Sequence, residues 1–232
     1  MKKTTALMLL LAILSSSVSD LQDSAPIFHI QNTIPDAAYL KFQDHSESRL
    51  PLYKSHFKKY SDKYDIPWTL IAAVAYQESK WDEDAVSHTG VRGLMQLTTK
   101  TAAHVGVEDR ADPFESIRGG AYYLKYLYNK TPKKLNDHQR WVLALSAYNI
   151  GWGHLRDAHR LALRLKKNPY NWSEFKKVLP LLEEEKYYNT LNYGFARGNE
   201  TVDFVNKVFN YYNLLNTTFR VQSELAQFNY SK

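Results

Sequence analysis

The sequence predicts a mostly α-helical protein built as one domain of moderate size. From about residue 52 onward, apolar residues recur at intervals of three and four, which is the repeat of a helix face packed on a core. The chain has 232 residues, of which 44% are hydrophobic, so it can bury one core and has little room for a second domain. It contains no cysteine, so stability must come from that core and not from disulfides.

The first 50 residues precede the helical region. Lys2 and Lys3, an apolar run over residues 6–14 and a small-residue zone predict an export signal over residues 1–19. The apolar run is well short of the roughly 20 residues that a helix needs to cross a bilayer. Residues 20–50 contain prolines and no sustained periodicity, so we predict an extended or weakly ordered segment there.

Helices follow in order along the rest of the chain. Asp112 and Glu115 mark a helix start, because a side chain at the N-cap and a carboxylate three residues later both bind free N–H groups. Gly151 marks a helix end, where left-handed backbone is needed. The predicted domain covers residues 51–215, residues 216–232 are predicted as a C-terminal tail, and the predicted helices are 52–64, 67–80, 99–105, 113–130, 139–150, 155–165, 172–179 and 201–215.

Residues 86–97 break the helical pattern. Gly90 and Gly93 flank short pieces that are compatible with β-strands, and glycine adopts backbone conformations that are closed to other residues. This segment therefore predicts a small β-hairpin in an otherwise helical domain.

Glu78 is the candidate catalytic residue. It shares a helical stripe with Ile71, Val74 and Ala75, so its carboxyl group is predicted to face inward. Desolvation and the negative end of the helix dipole both disfavour the ionised form, so we expect its pKa to rise. A carboxylic acid that is protonated near neutral pH can donate a proton to a glycosidic oxygen. The competing structural interpretation is a helix-terminal Glu paired with a buried Arg or hydroxyl group.

Motifs with a fixed spacing surround Glu78. The residue is followed directly by a serine, residues 85–97 read AVSHTGVRGLMQL, and residues 147–149 read AYN. Ser87 lies nine positions and Gln96 eighteen positions after Glu78. This pattern resembles that of the soluble lytic transglycosylases.

The resemblance covers roughly residues 52–213. Residues 193–198, YGFARG, are most similar to the catalytic module of the membrane-bound lytic murein transglycosylase F family. The part of this chain before that module is too short for the substrate-binding-protein-like domain of that family. Thr98 and Thr99 also replace a Met-Pro pair that many members carry at this point.

The resemblance implies a lysozyme-like helical fold of the goose type, with the small hairpin bordering a cleft and Glu78 facing it as the single acid and base. The residues implied or predicted to bind substrate there are Ser87, Met95, Gln96, Tyr123, Tyr148, Asn149 and Tyr193. Each has a structural alternative, since helical tyrosines commonly pack in a core with a bonded hydroxyl group and a serine suits a turn.

The implied reaction is cleavage of the β-1,4 bond between N-acetylmuramic acid and N-acetylglucosamine in peptidoglycan, with formation of 1,6-anhydromuramic acid ends. The resemblance implies no metal and no organic cofactor. Two alternatives stay open. Asp82, Glu83 or Asp84 would supply a second carboxylate for a lysozyme-like hydrolase. A protein that binds peptidoglycan without cleaving it would keep the cleft alone.

The formal charge of +6 and pI near 9.2 favour anionic partners. No helix-turn-helix, RNP-like or zinc-finger pattern accompanies the basic residues, so nucleic acid is not an expected partner. His154 and His159 are five positions apart and off a shared helix face, which argues against a metal site. We expect a periplasmic monomer whose basic surface, including Arg156, Arg160 and Arg164, makes peripheral contact with the cell wall or outer membrane.

Overall fold

The computed structural model describes residues 34–88 and 90–230. The predicted export signal and part of the predicted N-terminal segment lie outside the described residues. The described fold is built from helices, which confirms the predicted mostly α class. The helices are α1 (Asp36–Ser48), α2 (Leu50–Tyr64), α3 (Trp68–Ser79), α4 (Thr99–His104), α5 (Pro113–Lys130), α6 (Asp137–Ile150), α7 (Trp152–Arg164), α8 (Trp172–Val178), a 3₁₀ helix (Leu179–Glu183), α9 (Glu185–Tyr188) and α10 (Gly198–Tyr230).

Side-chain caps begin the two helices that flank the site. Asp112 accepts hydrogen bonds from the backbone N–H groups of Phe114 and Glu115 at 2.8 and 2.7 Å, as its place before α5 predicts. Asn136 and Gln139 form a reciprocal capping box on α6. A cap of this kind contributes about 1 kcal/mol, so the starts of both helices are fixed locally.

α3 is the buried centre of the fold. Every residue from position 70 to position 76 is buried, with α10 packed along one side of the helix and α2 along another. Each large aliphatic side chain buried there stabilises the fold by about 1.5–3 kcal/mol. Lys80 and Trp81 end the helix in left-handed backbone, with φ of 59° and 55°, and the Trp81 indole donates to the carbonyl of Ala72 at 2.8 Å. The C-terminal end of α3 is therefore held in a defined place.

The segment predicted to be extended or weakly ordered contains a helix, α1, over residues 36–48. Phe42 lies edge-on to Tyr76, with ring centroids 4.9 Å apart, and stacks on Tyr211 at 5.2 Å. Only Phe42 and His45 are buried on this helix, so its sequence carries little periodicity. Packing against α3 and α10 stabilises it instead.

The tail predicted at residues 216–232 is also wrong as far as position 230, because α10 continues through it. Phe219 packs edge-on against Trp68 with ring centroids 4.8 Å apart, and the Lys54 ammonium lies 3.8 Å from the Phe219 ring centre. These contacts extend the helix beyond its predicted end. No helix within the described ranges is both long enough and apolar enough to cross a membrane.

The predicted hairpin is not formed as a pair of strands. The segment makes two isolated antiparallel bridges, from Val86 to Arg92 and from Arg92 to Leu97. Gly93 and Gln96 have φ of 86° and 47°, so the backbone turns before a longer ladder can form. The segment is a compact loop of successive turns, named here the site loop (residues 85–97).

Candidate active site

Glu78 lies in the last turn of α3, where the helix meets the site loop. Its side chain is half-buried and surrounded mainly by protein. Burial raises the pKa of Glu78 from 4.5 to about 8, the nearby Lys80 ammonium opposes this rise, and the charge of Glu200 adds to it. The direction is the one that the sequence predicts, and at neutral pH the group carries a proton.

The competing structural interpretation requires a buried partner for Glu78. Within residues 34–88 and 90–230, its carboxyl group has no ion pair and no side-chain hydrogen bond. The nearest cation along the chain, Lys80, instead donates to the carbonyls of Tyr76 and Gln77 at 2.9 and 3.1 Å. A protonated carboxyl group without a structural partner is able to give its proton to a bound substrate.

Tyr148, on α6, faces Glu78. Burial raises the pKa of the Tyr148 phenol well above its usual range, with the negative charge of Glu78 as the next cause. Its hydroxyl donates to the carbonyl oxygen of Met95 at 2.8 Å, and its ring centroid lies 5.6 Å from that of Tyr123 on α5. The structure thus brings Glu78, Tyr148 and Tyr123 together from α3, α6 and α5.

Gln96 and Ser87 hold the site loop in shape. The Gln96 side-chain amide donates to the carbonyls of Ala85 and Gly93 at 3.1 and 2.8 Å. The Ser87 hydroxyl oxygen accepts from the Val91 N–H at 3.0 Å. Both residues therefore have the structural role of loop residues, and within the described part of the chain no donor bonds the side-chain oxygen of Gln96.

Met95 reaches the site only through its backbone. Its side chain is fully buried and packs where a Cβ at Gly120 would approach it to 2.6 Å, so a contact of Met95 with substrate would be made by its backbone and stays a prediction. Its N–H donates to the Ser116 hydroxyl at 3.0 Å. Close packing also fixes the neighbouring Gly93, where a Cβ would lie 1.8 Å from the carbonyl oxygen of Arg110.

A residue of α10 holds the Asn149 side chain in place. Its side-chain oxygen accepts a hydrogen bond from the Thr201 hydroxyl at 2.7 Å, and Thr201 is fully buried. With the oxygen engaged, the amide N–H groups are the part of Asn149 that can point to a ligand. No pattern in the sequence indicated Thr201, because it is far from Asn149 along the chain.

Tyr193 lies against α7. Its ring packs on Gly153, where a Cβ would lie 2.5 Å from a ring carbon, and half of its side-chain surface is exposed. Its N–H donates to the carboxylate of Asp157 at 2.7 Å, and that fully buried carboxylate also pairs with Arg160 at 3.0 Å. Asp157, which sequence reasoning missed, therefore positions the segment that carries Tyr193.

Two of the acidic residues after α3 have partners other than Glu78. Asp82 pairs with Arg49 at 3.5 Å, and Glu83 accepts from the Tyr53 hydroxyl at 3.2 Å. The carboxylate whose charge reaches Glu78 is Glu200 at the start of α10, which sequence reasoning also missed. Among the described residues, no three His, Cys, Asp or Glu side chains lie close enough to hold a metal ion.

Residues 55–171 match the model of the transglycosylase SLT domain. The chain belongs to this family. Its match spans α3, the site loop, α5 and α6, and it includes Glu78, Gln96, Tyr123 and Tyr148. The family therefore accounts for the part of the fold that builds the candidate site.

Curated relatives of this SLT-domain chain are similar over most of its length. The membrane-bound lytic murein transglycosylase F of Shewanella loihica is 45% identical over 185 residues, which are 78% of this chain and 38% of that protein. The membrane-bound lytic murein transglycosylase F 2 of Alkalilimnicola ehrlichii is 49% identical over 173 residues, which are 75% of this chain and 38% of that protein. The chain thus spans about 38% of the length of these relatives.

Two solved structures share the fold. An inactive mutant of lytic transglycosylase Slt from Pseudomonas aeruginosa superposes with a TM-score of 0.54 at 21% identity, covering 72% of this chain and 24% of that one. The 70 kDa soluble lytic transglycosylase of Escherichia coli gives a TM-score of 0.53 at 27% identity, covering 75% of this chain and 26% of that one. The described helices therefore have the architecture of lytic transglycosylases.

Proposed function

We propose that this protein is a peptidoglycan lytic transglycosylase, with Glu78 as its single acid and base and a cleft of the goose-lysozyme type. Its substrate is the β-1,4 bond between N-acetylmuramic acid and N-acetylglucosamine. The observation that carries the proposal is the Glu78 carboxyl group, whose pKa is raised to about 8 and which has no partner among the described residues. The names of the relatives, lytic murein transglycosylases, support the same activity.

In the first step, Glu78 donates its proton to the glycosidic oxygen, and the bond from that oxygen to C1 of muramic acid breaks. The departing sugar leaves with a free hydroxyl group. The 2-acetamido group of the muramic acid stabilises the positive charge that develops at C1, a role that a second carboxylate has in many glycosidases. The site has no such second carboxylate at Asp82 or Glu83, since both bind elsewhere.

In the second step, the Glu78 carboxylate removes the proton from the 6-hydroxyl group of the same muramic acid, and O6 forms the new bond to C1. The product is a 1,6-anhydro sugar, and the enzyme regains its proton. No water is consumed, because an internal hydroxyl group held in place replaces it. Burial of Glu78 favours the return to the protonated form.

The remaining predicted residues have distinct proposed roles. The Gln96 carbonyl oxygen and the Asn149 amide are free to bond the sugar at the scissile bond, since their other polar atoms are held by the loop and by Thr201. Tyr123 and Tyr148 form an aromatic wall that contacts the site loop through the Tyr148 hydroxyl. Ser87 and Tyr193 have roles as a loop residue and as an outer aromatic surface for a sugar ring.

The test is digestion of purified peptidoglycan with the protein and with Glu78→Gln, followed by mass spectrometry of the released muropeptides. Anhydro products are one water lighter than hydrolysed ones. We expect anhydro ends from the unchanged protein and none from Glu78→Gln. Glu108→Gln is the matched control, because Glu108 is exposed and lies outside the site. It should retain activity.

Two other outcomes would replace the proposal. Reducing ends would make the protein a lysozyme-like hydrolase. Glu200 would then be the first candidate for the second carboxylate and the first residue to substitute, because its charge reaches Glu78. Absence of any Glu78-dependent product from folded protein would favour a noncatalytic peptidoglycan-binding protein.

We also propose a periplasmic location and a monomeric state. The predicted export signal, and relatives named as membrane-bound murein enzymes, support placement in the cell envelope. Removal of residues 1–19 would take two lysines and leave a net charge of about +4, so the surface would stay basic. Peripheral contact with anionic cell-wall polymer or outer membrane follows from that charge, and nucleic acid is not proposed as a partner.

A further inference from the structure

A second concave site lies between the end of α5, α6, α7 and the segment before α8. It is a cavity of about 250 Å³. Its walls include the aromatic rings of Trp152 and Tyr170, and its nitrogen-bearing side chains are Lys130, Arg156, His159 and Arg160. None of its described lining residues is acidic. The site is named here the basic pocket.

The basic side chains of the pocket differ in how available their charge is to a ligand. Arg160 is paired with the buried carboxylate of Asp157 at 3.0 Å, and burial lowers the pKa of His159, which favours its neutral form. Lys130 lies 5.1 Å from the Trp152 ring centre and donates to the hydroxyl of a tyrosine. Arg156 is exposed and has no ion pair within the described parts of the chain. Lys130 and Arg156 are therefore the cations that an anionic ligand would meet.

Aromatic contacts join the basic pocket to the candidate active site. Tyr148 lies 5.6 Å from Tyr123, and Tyr123 stacks on Tyr126 with ring centroids 6.1 Å apart. The Lys130 ammonium lies 4.8 Å from the Tyr126 ring centre and reaches on to Trp152. Tyr123, Tyr126 and Lys130 follow one face of α5 at spacings of three and four, so a row of side-chain contacts runs from Tyr148 to the pocket.

We propose that the basic pocket binds the acidic stem peptide carried by muramic acid in the glycan strand. The peptide combines carboxylates with small apolar side chains, which complements two unpaired cations set on aromatic and aliphatic walls. It is attached to the sugar at the scissile bond, and the aromatic wall leads from that bond to the pocket. The inference rests on the proposed function, because it assigns the substrate of the same site.

The first test measures peptide binding without catalysis. The indole N–H signal of Trp152, assigned with Trp152→Phe, is followed by NMR while the free tetrapeptide L-Ala–γ-D-Glu–meso-diaminopimelate–D-Ala is added. We expect the signal to shift, and Arg156→Gln to weaken binding about tenfold by removing a charge-assisted hydrogen bond. Lys167→Gln is the matched control, since Lys167 is an exposed cation outside the pocket, and it should bind as the unchanged protein does.

The second test compares release of anhydro products from intact strands and from strands stripped of peptide by an amidase. We expect Arg156→Gln to lower the ratio of the rate on intact strands to the rate on stripped strands, and Lys167→Gln to leave this ratio unchanged. If the unchanged protein and Arg156→Gln had equal rate ratios and equal peptide affinities, the assignment of the pocket to the stem peptide would be wrong and the proposed function would still hold. If no strand gave anhydro products, the proposed function would fail, while the peptide titration would still decide the pocket. Arg156-dependent binding to phosphatidylglycerol vesicles without peptide binding would overturn the inference in favour of a lipid surface.

Discussion

Glu78 is expected to reduce the stability of the protein as the pH rises. In the unfolded chain its pKa is near 4.5, whereas in the fold burial raises it to about 8. Between these values the unfolded chain has released the proton and the folded chain still holds it, so the free energy of unfolding falls as pH rises. Each pH unit in this window costs about 1.4 kcal/mol, which gives at most about 5 kcal/mol in total. Because the carboxyl group keeps some contact with solvent, we expect about 3 kcal/mol at pH 8.

Glu78→Gln removes this effect, because an amide keeps the shape and has no charge to desolvate. Urea denaturation of both proteins at pH 4 and pH 8 measures it. At pH 4 the two should have similar midpoints, and at pH 8 the variant should be more stable by about 3 kcal/mol, or about 10 °C in Tm for a domain of this size. Glu108→Gln should show no gap that depends on pH, since Glu108 is exposed. A gap of the same size at both pH values would refute the assignment of a raised pKa to Glu78.

Three further predictions concern the site. The rate of anhydro product release should fall about tenfold per pH unit above pH 8, because the acid form of Glu78 is lost there; a rate that rises through this range would contradict it. Thr201→Val should remove the hydrogen bond to the Asn149 oxygen and lower the free energy of unfolding by about 1–2 kcal/mol. It should also lower kcat at a temperature at which a thermal melt shows the variant to be fully folded, and an unchanged kcat would remove Asn149 from the site. Gly93→Ala should destabilise the fold by more than about 3 kcal/mol, measured by urea titration, because its Cβ meets a backbone carbonyl. Gly90→Ala, also at positive φ but with open space around it, should cost only about 1–2 kcal/mol, and equal losses for the pair would show that backbone strain alone decides.

The sequence predicted those parts of the fold whose signals are local. The stripe of Ile71, Val74 and Ala75 correctly indicated a buried helix, and Asp112 correctly marked the start of α5. Both signals act within two turns of one helix, where spacing decides which side chains meet. The same reasoning gave the direction of the Glu78 pKa, since its cause is the burial of that stripe.

Contacts between segments that are distant along the chain could not be predicted from the sequence. α1 presents mainly polar residues, and its packing depends on Phe42 meeting Tyr76 and Tyr211, which no local pattern indicates. The hydrogen bond from Thr201 to Asn149 likewise depends on how α10 crosses α6. The motif position of Met95 in a loop likewise did not indicate that its side chain fills the core.

Lys80 explains how a buried acid stays protonated with a cation two residues away. A salt bridge would stabilise the ionised form of Glu78 and return its pKa toward the usual range. The left-handed backbone at Lys80 and Trp81 ends α3 and directs the ammonium to the carbonyls of Tyr76 and Gln77, where the helix dipole favours a positive charge. Burial and the nearby Lys207 lower the pKa of Lys80 to about 8, which further weakens its attraction for the Glu78 carboxylate. The turn that ends the helix therefore stabilises the helix end and, by the same contacts, leaves the acid free for substrate.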